Sequence, residues 1–202
     1  MSFSIPAVSL GPSVSVANAH LPTIRGRSPG ARNPWLTVPR RVILSRMTKT
    51  KLPHHGPCFI CGPHNPNGLG VDFYDIGEGR VETRFQFELA QQGPPAHAHG
   101  GSIAAVLDEV MGAAVWRAGH PVLAARLEID YRKPTPLGKP LVAVGWVVSV
   151  RGKQVKARGE LHLDGGHLLA ESAGLFIHAR HVIGPAYLEA RPYGFPGETH
   201  RE

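Results

Sequence analysis

The chain has 202 residues, 42% of them hydrophobic, enough for one domain with extensions around a single core. A net charge of +7 invites a nucleic-acid reading, but residues 1–71 hold eight Lys/Arg and no acid, whereas residues 72–202 balance fourteen Lys/Arg against fifteen acids. The main domain is therefore nearly neutral and shows no electrostatic footprint for nucleic acid, and no apolar run reaches the ~18 residues of a bilayer span, the longest being Leu141 to Val150.

Residues 1–50 form a basic extension rich in Ser, Pro, Gly and Arg, with no apolar period to support an element, so it is expected to lack stable structure of its own. Two readings fit it: an upstream extension ahead of a start at Met47, or an organellar targeting segment on an otherwise cytoplasmic protein. Residues 51–70 are a lead-in containing HHGPCFICGPHNPNGLG. Cys58 and Cys61 have the spacing of a metal or redox pair, with His54, His55 and His64 close by. A second CxxC or a spaced histidine pair is missing, so the expectation is a reduced pair at the domain's edge with no metal and no cofactor. A zinc-binding interaction module built on this stretch is the distant rival.

The domain proper is expected over residues 71–178. Val71 to Ile76 and Val81 to Phe87 read as a hairpin around Gly-Glu-Gly. After ELAQQGPPAHAHGG comes a helix from Ser102 to about Arg117, apolar on nearly every side and therefore buried. Four strand-like segments follow: Val122 to Tyr131, Leu141 to Val150, Gln154 to Leu163 and His167 to His178. The short connections RGK and DGG allow only antiparallel neighbours. The pattern predicts an α+β domain, an antiparallel sheet of five or six strands wrapped around one long central helix, with a tail from residue 179 to 202.

Asp108 and Glu109 interrupt that apolar helix, and a buried carboxylate without partners costs several kcal/mol, so each must be paired or put to use. The glycines of AHAHGGS supply a complementary feature, because Gly100 and Gly101 let a substrate carbonyl approach backbone N–H groups at the positive end of the helix dipole. Asp108 follows Gly101 by two turns, on the same face but ~10 Å along the axis, so one helix cannot bring both to one carbonyl. Two antiparallel helices across a two-fold axis can, and the spacing points to a homodimer with shared sites. Glu109, turned about 100° away, is expected to pair with Arg126 or Arg117.

The remaining candidates are weighed in the same way. His99 is read as orienting the start of the helix or the substrate, His97 as loop surface, and Gln92 as an amide able to hold the carboxylate or a water. Ser102 has no base partner, and helix capping is its ordinary role. Arg151, Lys153, Lys156 and Arg158 lie on one hairpin and suit the phosphates of coenzyme A, although such a row is equally a solvated face. Met111, Trp116 and Trp146 are candidate walls for an acyl group or ordinary core.

HGGSIAAVLDE, LEIDYRKPTPLGKP and DGGHLLAESAGLF, together with the CFICGPHNPNGLG opening, resemble the hotdog fold and, within it, the phenylacetate-pathway (PaaI-like) acyl-CoA thioesterases over about Cys58 to Ile177. The resemblance implies hydrolysis of an acyl-CoA, an HGG turn holding the carbonyl, Asp108 as base or nucleophile, and a homodimer that pairs into a tetramer. Two alternatives stay open, a non-catalytic acyl-CoA-binding protein and a hotdog dehydratase or hydratase, whose histidine ahead of the helix GPPAHAHGG partly mimics.

Overall fold

The computed structural model describes residues 49–189 and 192–194. Met47 and nearly all of the basic extension lie outside them, as does the end of the tail. The elements are β1 (Thr50–Lys51), β2 (Phe73–Asp75), β3 (Arg80–Phe85), α1 (Gly100–Arg117), β4 (Val122–Tyr131), β5 (Leu141–Arg151), β6 (Gln154–Leu163), β7 (Leu168–His178) and α2 (Pro185–Glu189), with single 3-10 turns at Leu89–Gln91 and Pro192–Gly194. All strands pair antiparallel in one sheet, in the order β1-β2-β3-β5-β6-β7-β4. The expected hotdog architecture is present. The sheet has seven strands rather than five or six because the junction of the basic extension and the lead-in adds β1, a two-residue strand too short to show alternation.

Alternation sets which face of the sheet receives the helix. On β6, Val155, Ala157, Gly159 and Leu161 are buried, while Lys156 between them is exposed. Helix α1 packs mainly on β5 and β6, and its backbone comes close because Gly145 has no side chain: a Cβ there would lie 2.4 Å from the Val110 carbonyl oxygen. Val106, Leu107, Val110, Met111 and Val115 are fully buried, each contributing on the order of 1.5–3 kcal/mol. That α1 is apolar on its far side as well has a cause outside the sheet. The lead-in buries Ile60 and Cys61, the stretch after β7 packs Ile183 and Leu188 onto the core, and Tyr193 is only 4% exposed. Residues 179–189 and 192–194, read from sequence as tail, thus contribute to the same core.

One consequence of the topology positions the site. The strand that follows α1 in sequence, β4, lies at the far edge beside β7, and its other side is unpaired among the described residues. It is ten residues long, with Leu123 50% and Tyr131 52% exposed, and a long apolar edge of this kind is a ready surface for another strand. Among the described residues, no helix is long and apolar enough to cross a membrane.

Candidate active site

The turn that opens α1 is fixed from two sides. His99 is the N-cap, in extended conformation, and its Nδ1 accepts a hydrogen bond from the Gly101 N–H at 2.9 Å. The Ser102 and Ile103 N–H groups go to the His99 carbonyl at 3.0 and 3.2 Å, and Tyr131 of β4 donates its hydroxyl to the Gly100 carbonyl at 2.9 Å. The Gly100 N–H is left without a partner among the described residues. Two expectations are corrected here. Ser102 does not cap, because the helix begins two residues earlier and the His99 ring takes that role. The Gly101 N–H is not open either, which makes Gly100 the free donor at the positive end of the dipole.

The loop before this turn is held by its own contacts. The Gln92 amide oxygen accepts from the Ala96 N–H at 3.2 Å and its backbone bridges Ala98, so Gln92 braces the loop instead of reaching for a carboxylate. His97 belongs to the loop as expected, its ring bonded to the Pro95 carbonyl at 2.9 Å.

Asp108 sits in the middle of α1 beside a cleft of about 440 Å³ lined by Glu109, Trp116, Leu123, Phe176 and Tyr187 among others. Its Oδ1 is buried and has no hydrogen-bond partner among the described residues. Burial, and secondarily the neighbouring Glu109 charge, push its carboxyl up to about 6. Of the three proposed acyl walls, Trp116 lines this cleft, Met111 is fully buried core, and Trp146 is stacked under the Arg80 guanidinium at 4.6 Å.

Glu109 has the opposite environment. Neither expected arginine reaches it: Arg117 pairs with Asp75 at 2.9 Å, and Arg126 pairs with Glu128. Its Oε1 instead meets His55 Nε2 at 2.8 Å, the Cys58 thiol at 3.2 Å and the Tyr193 hydroxyl. His55 Nδ1 shares a hydrogen bond with the Tyr187 hydroxyl at 2.7 Å, and Cys61 Sγ lies 3.7 Å from the Tyr193 hydroxyl. Burial opposes charge on His55, but hydrogen bonds to Cys58 and Glu109 outweigh it and raise the ring to about 9. The hydrogen bond between the cysteines lowers Cys58 and raises Cys61. The cysteine pair read as a bystander is therefore joined to the residue next to Asp108. The lead-in spacing H-x2-C-x2-C was visible in sequence, but Tyr187 and Tyr193 stand in segments with no periodic pattern and gave no signal.

On the β5–β6 hairpin, Arg151, Lys153 and Lys156 are exposed and Arg158 is partly buried, and none of the four is among the residues that line the cleft beside Asp108.

Residues 96–170, which hold both the turn and Asp108, match the family model of the thioesterase superfamily. The chain is 34% identical over 116 residues to the Acyl-coenzyme A thioesterase THEM4 of Xenopus laevis, covering 55% of this chain and 52% of that one. It is 36% identical over 91 residues to the protein of the same name from Rattus norvegicus, covering 44% and 39%. The chain thus spans about half the length or less of these curated relatives. A crystal structure of a thioesterase superfamily protein superposes with a TM-score of 0.58 at 33% identity, covering 61% of this chain and 60% of that one. The PaaI protein from the E. coli phenylacetic acid degradation operon does so at 0.52 and 20% identity, over 55% and 80%, a likeness of fold.

Proposed function

We propose that this chain, a member of the thioesterase superfamily through a hotdog domain that includes residues 96–170, hydrolyses an acyl-CoA thioester in a site shared by two copies. The observation that carries the reading is the unpartnered, buried Asp108 oxygen at the edge of an apolar cleft. Such an oxygen is costly unless something outside the chain completes it, and a water held for attack on a carbonyl is such a group. Asp108 takes the proton of that water as it adds to the thioester carbon. The Gly100 N–H, with the helix dipole behind it, stabilises the oxyanion, and collapse expels the coenzyme A thiolate and leaves the free acid. The cleft wall of Trp116, Leu123 and Phe176 suits the acyl group. The exposed Arg151, Lys153 and Lys156 suit the phosphates.

The position of β4 supports the shared arrangement. Tyr131, its last residue, anchors the Gly100 turn, whereas Leu123 at its beginning lines the Asp108 cleft. Eight residues separate Gly100 from Asp108, about 12 Å along the helix axis, so the two half-sites of one chain stay apart. If the open edges of two β4 strands pair antiparallel about a two-fold near Leu127, the Tyr131 end of one strand lies beside the Leu123 end of the other. Each Gly100 turn then meets the partner's Asp108.

Thiol release from a panel of aliphatic and aromatic acyl-CoAs tests the activity. Hydrolysis of at least one member, abolished by Asp108→Asn, is expected. Tight binding of acyl-CoA with no release after prolonged incubation would instead establish a non-catalytic binding protein, and water addition to an enoyl-CoA would establish a hydratase.

A further inference from the structure

We propose that His55, Cys58, Cys61 and Glu109 bind a zinc ion that fastens the lead-in to helix α1 directly beside Asp108. One ligand atom from each residue lies within 4.8 Å of all the others. Tetrahedral zinc, with metal–sulfur bonds of about 2.3 Å and metal–nitrogen or –oxygen bonds of about 2.0–2.1 Å, requires ligand atoms roughly 3.3–3.8 Å apart. The separations of 2.8 Å from His55 Nε2 to Glu109 Oε1 and 3.2 Å from Cys58 Sγ to the same oxygen fall just short of that range, and no pair in the set exceeds 4.8 Å, so small side-chain shifts bring all four to tetrahedral spacing.

The donors are the right kind as well as near. Two sulfurs, one imidazole nitrogen and one carboxylate oxygen form a set that favours zinc over magnesium or calcium, which take oxygen ligands. Binding is an acid–base exchange without redox: the two thiols lose their protons to solvent, the imidazole coordinates through its neutral Nε2, and four metal–ligand bonds form. With all four positions filled by protein, the site is closed and structural, and it leaves the hydrolytic chemistry to Asp108.

The surroundings are those of a built site. The Cys58–Cys61 turn is closed by the Gly62 N–H donating to the Cys58 carbonyl at 3.0 Å. Only glycine fits there, because a Cβ would stand 2.5 Å from the Cys58 backbone nitrogen and oxygen. The Ile60 N–H points at Cys58 Sγ at 3.2 Å, a donor that stabilises a thiolate. The His54 ring holds the Cys61 carbonyl. With Nε2 on the metal, His55 has its Nδ1–H free for the Tyr187 hydroxyl at 2.7 Å, the second contact that fixes the tautomer and ring plane of a ligating histidine. The Tyr193 hydroxyl stands among the ligand atoms themselves, against Glu109 Oε1, His55 Nε2 and, at 3.7 Å, Cys61 Sγ, so it holds the set together without metal and has to turn aside from His55 when the ion enters. Cys61 is 1% exposed, so its sulfur is aimed inward at the cluster and not at solvent.

The test uses the untagged full chain, purified from zinc-supplemented cells, with elemental analysis and replacement of zinc by cobalt(II) as readouts. The expected content is about one zinc per folded chain, with the near-ultraviolet sulfur-to-cobalt band and intense visible bands of a tetrahedral thiolate site in the cobalt form. Cys58→Ser and Cys61→Ser should lose the metal. Glu109→Gln, which keeps the shape if a cysteine variant fails to fold, should shift the cobalt bands and weaken zinc retention against a chelator at least about tenfold. His64→Ala, an exposed histidine outside the cluster, should retain full occupancy. A folded wild-type chain that holds no zinc and gives no cobalt–thiolate band overturns the proposal. So does a Cys58–Cys61 disulfide, or equal zinc in wild type and all ligand variants. None of these readouts involves hydrolysis, so the metal site and the thioesterase reading stand or fall separately.

Discussion

Two carboxylates side by side on one helix have opposite surroundings. Asp108 faces the cleft with one oxygen buried and, among the described residues, unpartnered, while Glu109, a third of a turn away, accepts contacts from a histidine, a thiol and a tyrosine brought from both ends of the domain. An apolar helix can hold both because their desolvation is offset in different ways. Glu109 is satisfied within the fold, and Asp108 is left for whatever enters the cleft. On the proposed function the pair separates catalysis from stability at adjacent positions, and substitutions should separate them too.

The largest difference is expected for Asp108→Asn. Turnover of the best acyl-CoA should fall by about 10³-fold or more because the amide keeps the shape but cannot take the proton of the water. Thermal stability should hold, since no intrachain bond is broken. Glu109→Gln should do the reverse, lowering the midpoint of thermal unfolding clearly while reducing turnover by roughly tenfold or less. If Asp108→Asn unfolds the protein and Glu109→Gln abolishes turnover in a stable one, the two roles must be exchanged.

The comparison can be sharpened across the proposed interface. Gly100→Val puts bulk against the Tyr131 hydroxyl, which a Cβ alone would approach to 3.3 Å, and across the path of the carbonyl to the backbone donor. Gly100→Val and Asp108→Asn homodimers should both be nearly inactive. Refolded together, they form mixed dimers with one intact site, combining the free N–H of one chain with the carboxylate of the other. Activity of about half the wild-type value per mixed dimer is expected. No recovery after proven subunit exchange would place both groups in one chain and remove the β4 arrangement.

Much of this was legible in sequence, for reasons that differ by element. The ends of β4 and β6 coincide with the predicted ones because alternation and turn residues are local signals. Asp108 stood out because an acid on an otherwise buried helix conflicts with its surroundings. The surroundings of Glu109 could not be read, because they come from His55 and Tyr193, 54 residues before it and 84 after it in sequence. No periodicity links such positions. The capping error at the HGG turn has another origin: serine has the higher general propensity, but the His99 ring folds back on the Gly101 N–H and starts the helix earlier.

The smallest expected effect distinguishes the two tyrosines that close the Glu109 side. Tyr193 is buried and its hydroxyl donates to the carboxylate, so Tyr193→Phe leaves an acceptor short of one charge-assisted hydrogen bond and should cost about 1.5–3 kcal/mol. The Tyr187 hydroxyl bonds the outer nitrogen of His55 from a residue 36% exposed, where water can replace it, and Tyr187→Phe should cost only about 0.5–1 kcal/mol. Chemical denaturation at constant m-value measures both. The order matters more than the size. If Tyr187→Phe were the more damaging, the contact to His55 Nδ1 would be the principal support of the cluster, and Glu109 would be held chiefly through the histidine and not by its own hydroxyl donor.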